Sequence, residues 1–227
     1  MPAVFVTATG TDIGKTFVTA GLARKLRDRG YKVAVIKPVV TGFDPKTWPE
    51  CDPALLLEAS GETPSLARVE AIAPWRFAAP LSPDMATRRE GKSVDFAALV
   101  NFCRSEAKRA QDVFMVEGIG GLMVPFAPEA TVLDLIAALR IAPLLVAGTY
   151  VGSLSHTLTA LAVLREHKIQ PAALVLNQSP NSAASPQETA DSLRGFHPDL
   201  PIAMLRRDPA PENAAAFAKL AEIVLRG

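Results

Sequence analysis

Short runs of consecutive apolar residues recur along this chain, separated by longer stretches whose apolar positions fall three or four apart. Residues 3–8 (AVFVTA), 32–38 (KVAVIKP), 113–118 (VFMVEG), 143–149 (PLLVAGT) and 172–178 (AALVLNQ) read as strands. Each is continuous in apolar residues rather than alternating, as strands covered on both faces of a parallel sheet are. Helical spacing begins after the first run and lasts about 16 residues: Val18, Leu22 and Leu26 fall four apart, opposite Arg24, Lys25, Arg27 and Asp28, with Gly30 placed to end the helix. Further helical patterns lie near 53–60, 95–111, 131–140, 154–167, 185–194 and 212–226. The alternation predicts an α/β fold with a mostly parallel central sheet and helices on both faces. No repeat divides the chain, and residues 180–187 (PNSAASPQ) are the most loop-like stretch, so a single domain over 1–227 is expected.

Composition narrows the function classes. A chain of 227 residues with 49% hydrophobic content can bury a substantial core. Its 24 basic and 23 acidic residues are spread along the sequence for a formal net charge of +1, which leaves no footprint for nucleic acid or a membrane surface. Small-molecule partners are expected. The opening MPAVFVTATG has no basic leader, and no run approaches the ~18 apolar residues of a membrane-spanning helix. Cys51 and Cys103 stand far apart without a C-x-x-C partner, which suits reduced thiols in a cytoplasmic protein.

The chemically loaded residues fall at the carboxyl ends of the strands, where ligands collect in such sheets. After the first strand comes TATGTDIGKT, residues 7–16, in which Thr9 occupies the place of the first glycine of the general G-x-x-x-x-G-K-[ST] loop. The GKT end still carries the physics of phosphate binding. Gly14 opens a helix whose free N–H groups and dipole favour an anion, Lys15 adds a positive charge, and Thr16 offers a hydroxyl to a metal. Gly10 permits a tight turn, and the alternative is a plain helix start capped by Thr11 or Asp12. A magnesium ion takes few of its oxygens from protein. Glu117, closing an apolar strand, is a candidate ligand beside Thr16, and Asp52 is either a third or the cap of the helix that follows it. Lys37, fixed by Pro38 at a strand tip, makes a second positive charge next to Lys15, more than one nucleotide requires, and so suggests an anionic acceptor. Its alternative is a lysine snorkelling from a strand end.

The combination TGTDIGKT, KPVVTG, VEGIGGLMVPF, YVGSLSH and LVLNQ, in this order, resembles the dethiobiotin synthetases, ATP-dependent carboxylases of biotin synthesis, and the resemblance runs through PENAA at 211–215. It implies a P-loop NTPase-like fold and a reaction on 7,8-diaminopelargonate, in which CO2 (or bicarbonate) is captured as a carbamate, phosphorylated by ATP and closed into a ureido ring. It further implies that Lys15 and Lys37 act on the carbamate and the transferring phosphoryl group, with Thr11 and Asp12 beside them, while Thr16, Asp52 and Glu117 hold Mg2+. The nucleotide would rest on Asp12, Ile13, Gly14, Lys15, Thr16 and Phe17, with its base against Asn177 and the loop of Pro211, Glu212 and Asn213. Thr41, Pro80, Ser82 and Gly120 would line the diamine side. Gly152, Ser153 and Leu154 would grip the substrate carboxylate across a homodimer interface, although Ser153 or Ser155 is equally a helix cap.

The chain departs from the family pattern G-T-D-T-x-V-G-K-T with Ala8 for its first glycine, Gly10 for its aspartate and Asp12 for a common glutamate. Asp84 stands where histidine is common after S-P, and Leu205 where proline often flanks the base. Two other readings share the fold, a cobyrinate-type ligase and a partition-type switch ATPase. The first has no glutaminase domain downstream here, and the second places a lysine where this chain has Gly10.

Overall fold

The computed structural model describes residues 1–127, 129–207 and 211–227, with the side chain of Pro211 outside the description. In chain order the first half runs β1 (Ala3–Ala8), α1 (Lys15–Asp28), β2 (Val33–Ile36), β3 (Val39–Thr41), a 3-10 turn (Trp48–Glu50), α2 (Asp52–Ser60), α3 (Leu66–Ile72), β4 (Trp75–Phe77), α4 (Pro83–Glu90) and α5 (Phe96–Arg109). The second half runs β5 (Val113–Glu117), β6 (Pro125–Ala127), β7 (Ala130–Thr131), α6 (Val132–Leu139), β8 (Pro143–Ala147), α7 (Ser153–Glu166), β9 (Ala173–Asn177), α8 (Pro186–Arg194), β10 (Ile202–Leu205) and α9 (Pro211–Arg226).

Six strands form the central sheet in the order β10-β9-β8-β1-β5-β2. Every pairing in it is parallel. Because side chains alternate across a strand, each apolar run feeds two cores at once. In β1, Phe5 packs into one cluster while Val4, Val6 and Ala8 pack into the other. Likewise Phe114 and Val116 of β5 face one side, and Val113 and Met115 the other. Helix α1 covers the second face with Val18, Leu22 and Leu26, all fully buried as the spacing predicts.

Elements that the apolar pattern does not announce complete the fold. Strand β10 is only four residues, IAML, and joins the sheet edge through β9, too short a run to stand out beside Pro201. Helices α3 and α4 lie in a segment rich in proline and glycine, each eight residues or fewer. The pairs β3–β4 and β6–β7 form two-stranded sheets at the rim. The first of these is knitted to the end of β2, where Lys37 N–H donates to Ile72 O at 3.2 Å and Trp75 N–H to Pro38 O at 3.1 Å. Helices α6 and α8 begin with capping boxes, Thr131 with Asp134 and Ser185 with Glu188.

Among the described residues no helix is long and apolar enough to cross a membrane. Leu22 has no solvent exposure and sits between α1 and the sheet, so Leu22→Ala is expected to lower unfolding stability by about 2–5 kcal/mol, measurable by urea denaturation.

Candidate functional site

Parallel pairing fixes where the first charged residues meet. The register pairs Ile36 of β2 with Val116 of β5, so the next residues along, Lys37 and Glu117, emerge side by side at the carboxyl end of the sheet. Lys37 Nζ lies 2.7 Å from Glu117 Oε1 and also donates to Asp52 Oδ2. Lys37 and Glu117 are both buried, with side-chain exposures of 6% and 0%, whereas Asp52 keeps 43%. Lys37 is thus an ion-paired cation rather than a snorkelling one.

Asp52 differs from the capping alternative. The N-cap of α2 is Cys51 and no side chain caps that helix, since Asp52 is its first residue and turns toward Lys37. Pro53 fits the start of α2 because the first helical turn has no backbone hydrogen bond to lose.

The loop before α1 brings the remaining groups. Its left-handed residues are Asp12, with φ 57°, and Gly14, with φ 96°, while Gly10 has no positive φ. The close approach comes instead from Gly121, where a Cβ would lie 3.2 Å from the Gly10 backbone. Ala8 ends β1 fully buried, in the same core cluster as Val4 and Val6. Gly14 is the N-cap of α1 without a side-chain cap bond, so neither Thr11 nor Asp12 plays that part. Lys15 Nζ folds back to Gly120 O at 2.8 Å and Gly10 O at 3.4 Å. Thr16 Oγ1 donates to Glu117 Oε1 at 2.8 Å.

These groups converge on one cavity of about 360 Å³, lined by Thr11, Asp12, Gly14, Lys15, Thr16, Lys37, Thr41, Asp52 and Gly120, with Val40 and Ile119. Its two lysines are electrostatically unlike. Burial and then the Lys37 charge pull the Lys15 pKa down to about 8. Burial also opposes the charge on Lys37, but Glu117 and Asp52 outweigh it and raise its pKa. Asp52 is held below the usual carboxylate range because the adjacent Lys37 overcomes the cost of burial.

The donor set fits a small hard cation. Glu117 Oε2 is buried with no hydrogen-bond partner, and a second carboxylate and a hydroxyl stand beside it. No group of three or more His, Cys, Asp and Glu converges among the described residues, so any metal here draws few protein ligands.

The other expected residues, Ile13, Phe17, Pro80, Ser82, Asn177, Glu212 and Asn213, stand outside the lining of this cavity. Asn177, at the end of β9, donates from Nδ2 to Ile13 O at 2.8 Å and presses against Gly14, tying the loop to the sheet. Phe17 is 48% exposed and meets Phe217 edge-on with centroids 6.0 Å apart. Asn213 brackets the Arg206 backbone, accepting from its N–H and donating to its O, both at 2.8 Å. Glu212 faces a separate cavity of about 440 Å³ with Gln178 and Arg206, and the Pro211 side chain lies outside the described residues. Pro80 packs close against Gly42, and Ser82 Oγ donates to Asp84 Oδ1 at 2.5 Å.

Gly152 caps α7 with φ 96°, so neither Ser153 nor Ser155 caps it. Ser153 is buried, while Val151 and Leu154 are 91% and 38% exposed, and none of these residues reaches the cavity within this chain. A wider groove of about 1030 Å³ runs along the free edge of β2, but its Arg68 and Arg109 are already paired with Glu62 and Glu106, and it gathers no lysine–carboxylate centre. The lysine–carboxylate cluster belongs to the smaller cavity.

The protein-family model described as an AAA domain matches residues 2–212. The ATP-dependent dethiobiotin synthetase BioD of Caulobacter sp. (strain K31) is 44% identical over 208 residues, covering 91% of this chain and 89% of that protein. The chain belongs to the dethiobiotin synthetase family. The BioD of Methylobacterium nodulans is similar at 42% identity, covering 85% of this chain and 88% of its own. A dethiobiotin synthetase is an ATP-dependent ligase of biotin biosynthesis acting on small molecules, with ATP as co-substrate, and this chain is such an enzyme.

Among solved structures, the septum site-determining protein MinD of Pyrococcus horikoshii superposes with a TM-score of 0.57 at 19% identity, covering 98% of this chain and 95% of that one. The cell division ATPase MinD of Pyrococcus furiosus gives 0.54 at 19% identity, covering 100% and 99%. At that identity the likeness is one of fold alone.

The lowered Lys15 pKa has a signed consequence for this synthetase. A bound phosphate favours the charged lysine and raises its pKa, so below about pH 8 Lys15 is charged in both states and affinity is flat. Above that pH, binding must take up a proton, and affinity for a non-hydrolysable ATP analogue is expected to fall by up to about tenfold per pH unit. Titration calorimetry in two buffers of different ionisation enthalpy between pH 7 and 9.5 checks this, and an absence of proton uptake would refute it.

Proposed function

We propose that this cavity forms the ureido ring of dethiobiotin from 7,8-diaminopelargonate and CO2, with ATP converted to ADP and phosphate. The observation that carries the reading is the pair of buried lysines on one cavity, one on backbone carbonyls and one on carboxylates. A nucleotide alone does not need both, whereas a carbamate beside a γ-phosphate does. One substrate amine attacks the carbon of CO2 in its neutral form, releases a proton to solvent and becomes a carbamate. A carbamate oxygen then attacks the γ-phosphorus of ATP, ADP departs, and a mixed anhydride remains. The second amine attacks its carbonyl carbon, the ring closes and phosphate leaves.

In this scheme Lys15 leaves the Gly120 carbonyl for phosphate, and Lys37 stabilises the carbamate and the charge that builds during transfer. Both positive charges also disfavour a third, which keeps the attacking amine neutral. Thr16, Asp52 and Glu117 would hold Mg2+, which when bound neutralises phosphate charge. Thr11, Asp12, Thr41, Pro80, Ser82 and Gly120 would line the diamine side. Ile13, Gly14 and Phe17 would carry the nucleotide, with Asn177, Pro211, Glu212 and Asn213 at its base end.

The exposed Val151 and Leu154 at the start of α7 support a homodimer in which Gly152, Ser153 and Leu154 meet the substrate carboxylate. Residues 1–227 would then work as one synthetase domain.

ADP release is expected only when 7,8-diaminopelargonate and bicarbonate are both supplied, and Lys37→Ala is expected to bind ATP nearly normally while losing turnover by about 10³-fold or more. A coupled ADP assay with calorimetry measures both. Hydrolysis stimulated by DNA or lipid and indifferent to the diamine would point instead to a switch ATPase.

A further inference from the structure

We propose that the Lys37 ammonium is the resident cation of the Asp52–Glu117 carboxylate pair, holding whenever no nucleotide is bound the place that a divalent ion takes only together with the nucleotide. The proposal rests on the reading of Thr16, Asp52 and Glu117 as metal ligands, and it adds an order of events. Lys37 contacts both carboxylates, at 2.7 Å for Glu117 Oε1, and the same oxygen accepts the Thr16 hydroxyl at 2.8 Å. The three groups offered to a metal are therefore the three that surround or share this lysine contact.

Lys15 acts on these carboxylates only from a distance, with no direct ion pair to either. The hydrogen-bond partners of Lys15 Nζ are the carbonyls of Gly120 and Gly10, so the two carboxylates depend on Lys37 for direct pairing. With Lys37 in place, a divalent ion entering alone would leave two lysines and a metal facing two carboxylates in a largely buried space, which is costly. A triphosphate reverses that balance. It brings several negative charges, gives Lys15 and Lys37 new partners, and leaves Asp52 and Glu117 to the ion. Lys37 is already on the cavity wall, so its transfer from the carboxylates to the phosphate and acceptor needs a side-chain rotation and no backbone rearrangement. The unpartnered Glu117 Oε2 shows that the carboxylate has an acceptor to spare when the lysine leaves.

The consequence is that metal and nucleotide bind as a unit, and that removing the lysine uncouples them. Mn2+ serves as the probe, with free Mn2+ followed by electron paramagnetic resonance on the full chain without nucleotide. The wild-type enzyme is expected to bind no stoichiometric Mn2+ until a non-hydrolysable ATP analogue is added. Lys37→Met is expected to bind one Mn2+ per chain without nucleotide, tighter than wild type by roughly two orders of magnitude, the scale of a unit charge removed at contact distance. Adding Asp52→Asn to that variant should abolish the gain.

Stoichiometric Mn2+ on the nucleotide-free wild type, or no gain in a folded Lys37→Met, would overturn the proposal. The wild-type measurement stands even if Lys37→Met fails to fold. If diamine-dependent ADP release were absent while the Mn2+ pattern held, the ureido reaction would fall and the shared cation place would remain.

Discussion

A buried lysine held between two carboxylates organises the carboxyl end of this sheet. Taking charges from water costs several kcal/mol per ion, recovered only when partners are close and well placed. The pairing of Ile36 with Val116 brings Lys37 and Glu117 together, and the loop into α2 delivers Asp52 to the same ammonium. Thr16 joins through Glu117, which links the start of α1 to the ends of β2 and β5. The phosphate loop is therefore positioned by electrostatics as well as by packing. Its other anchors are Asn177 on the Ile13 carbonyl and the close approach of Gly121 to Gly10.

In the proposed reaction the two lysines would divide the work because their surroundings differ. Carbonyl partners leave Lys15 with its charge weakened by burial, ready to gain from an arriving phosphate. Carboxylate partners keep Lys37 firmly charged, so in the proposed reaction its charge would be present before substrate arrives. A site built this way holds its positive charges in readiness, and little solvent reorganisation remains for the chemical step.

The central strands were legible from sequence because both faces of the sheet are covered, so burial writes a continuous apolar run. The Gly-Lys-Thr loop was legible because few other contexts place those residue types after such a strand. Other features depend on contacts between residues remote in sequence. Asp52 reads locally as a helix cap, and only the approach of Lys37 turns it away. The need for glycine in the loop shifts from Gly10 to Gly14 and Gly121, and the second of these is set by a backbone that arrives from a hundred residues away. Strand β10 and helices α3 and α4 are too short to carry a periodic signal of their own. Asn213 belongs in sequence to the loop expected at the base, and its hold on the Arg206 backbone is a contact that no local pattern announces.

The most direct measurement of this account is a double-mutant cycle on the empty enzyme using Lys37→Met and Glu117→Gln, with urea unfolding as the readout. Lys37→Met strands the buried Glu117 and is expected to cost about 3–5 kcal/mol, Glu117→Gln leaves Lys37 paired with Asp52 and is expected to cost less, and the double variant should cost clearly less than their sum, with a coupling of at least about 1 kcal/mol. Strictly additive losses would mean that the two groups do not depend on one another, and would contradict the account.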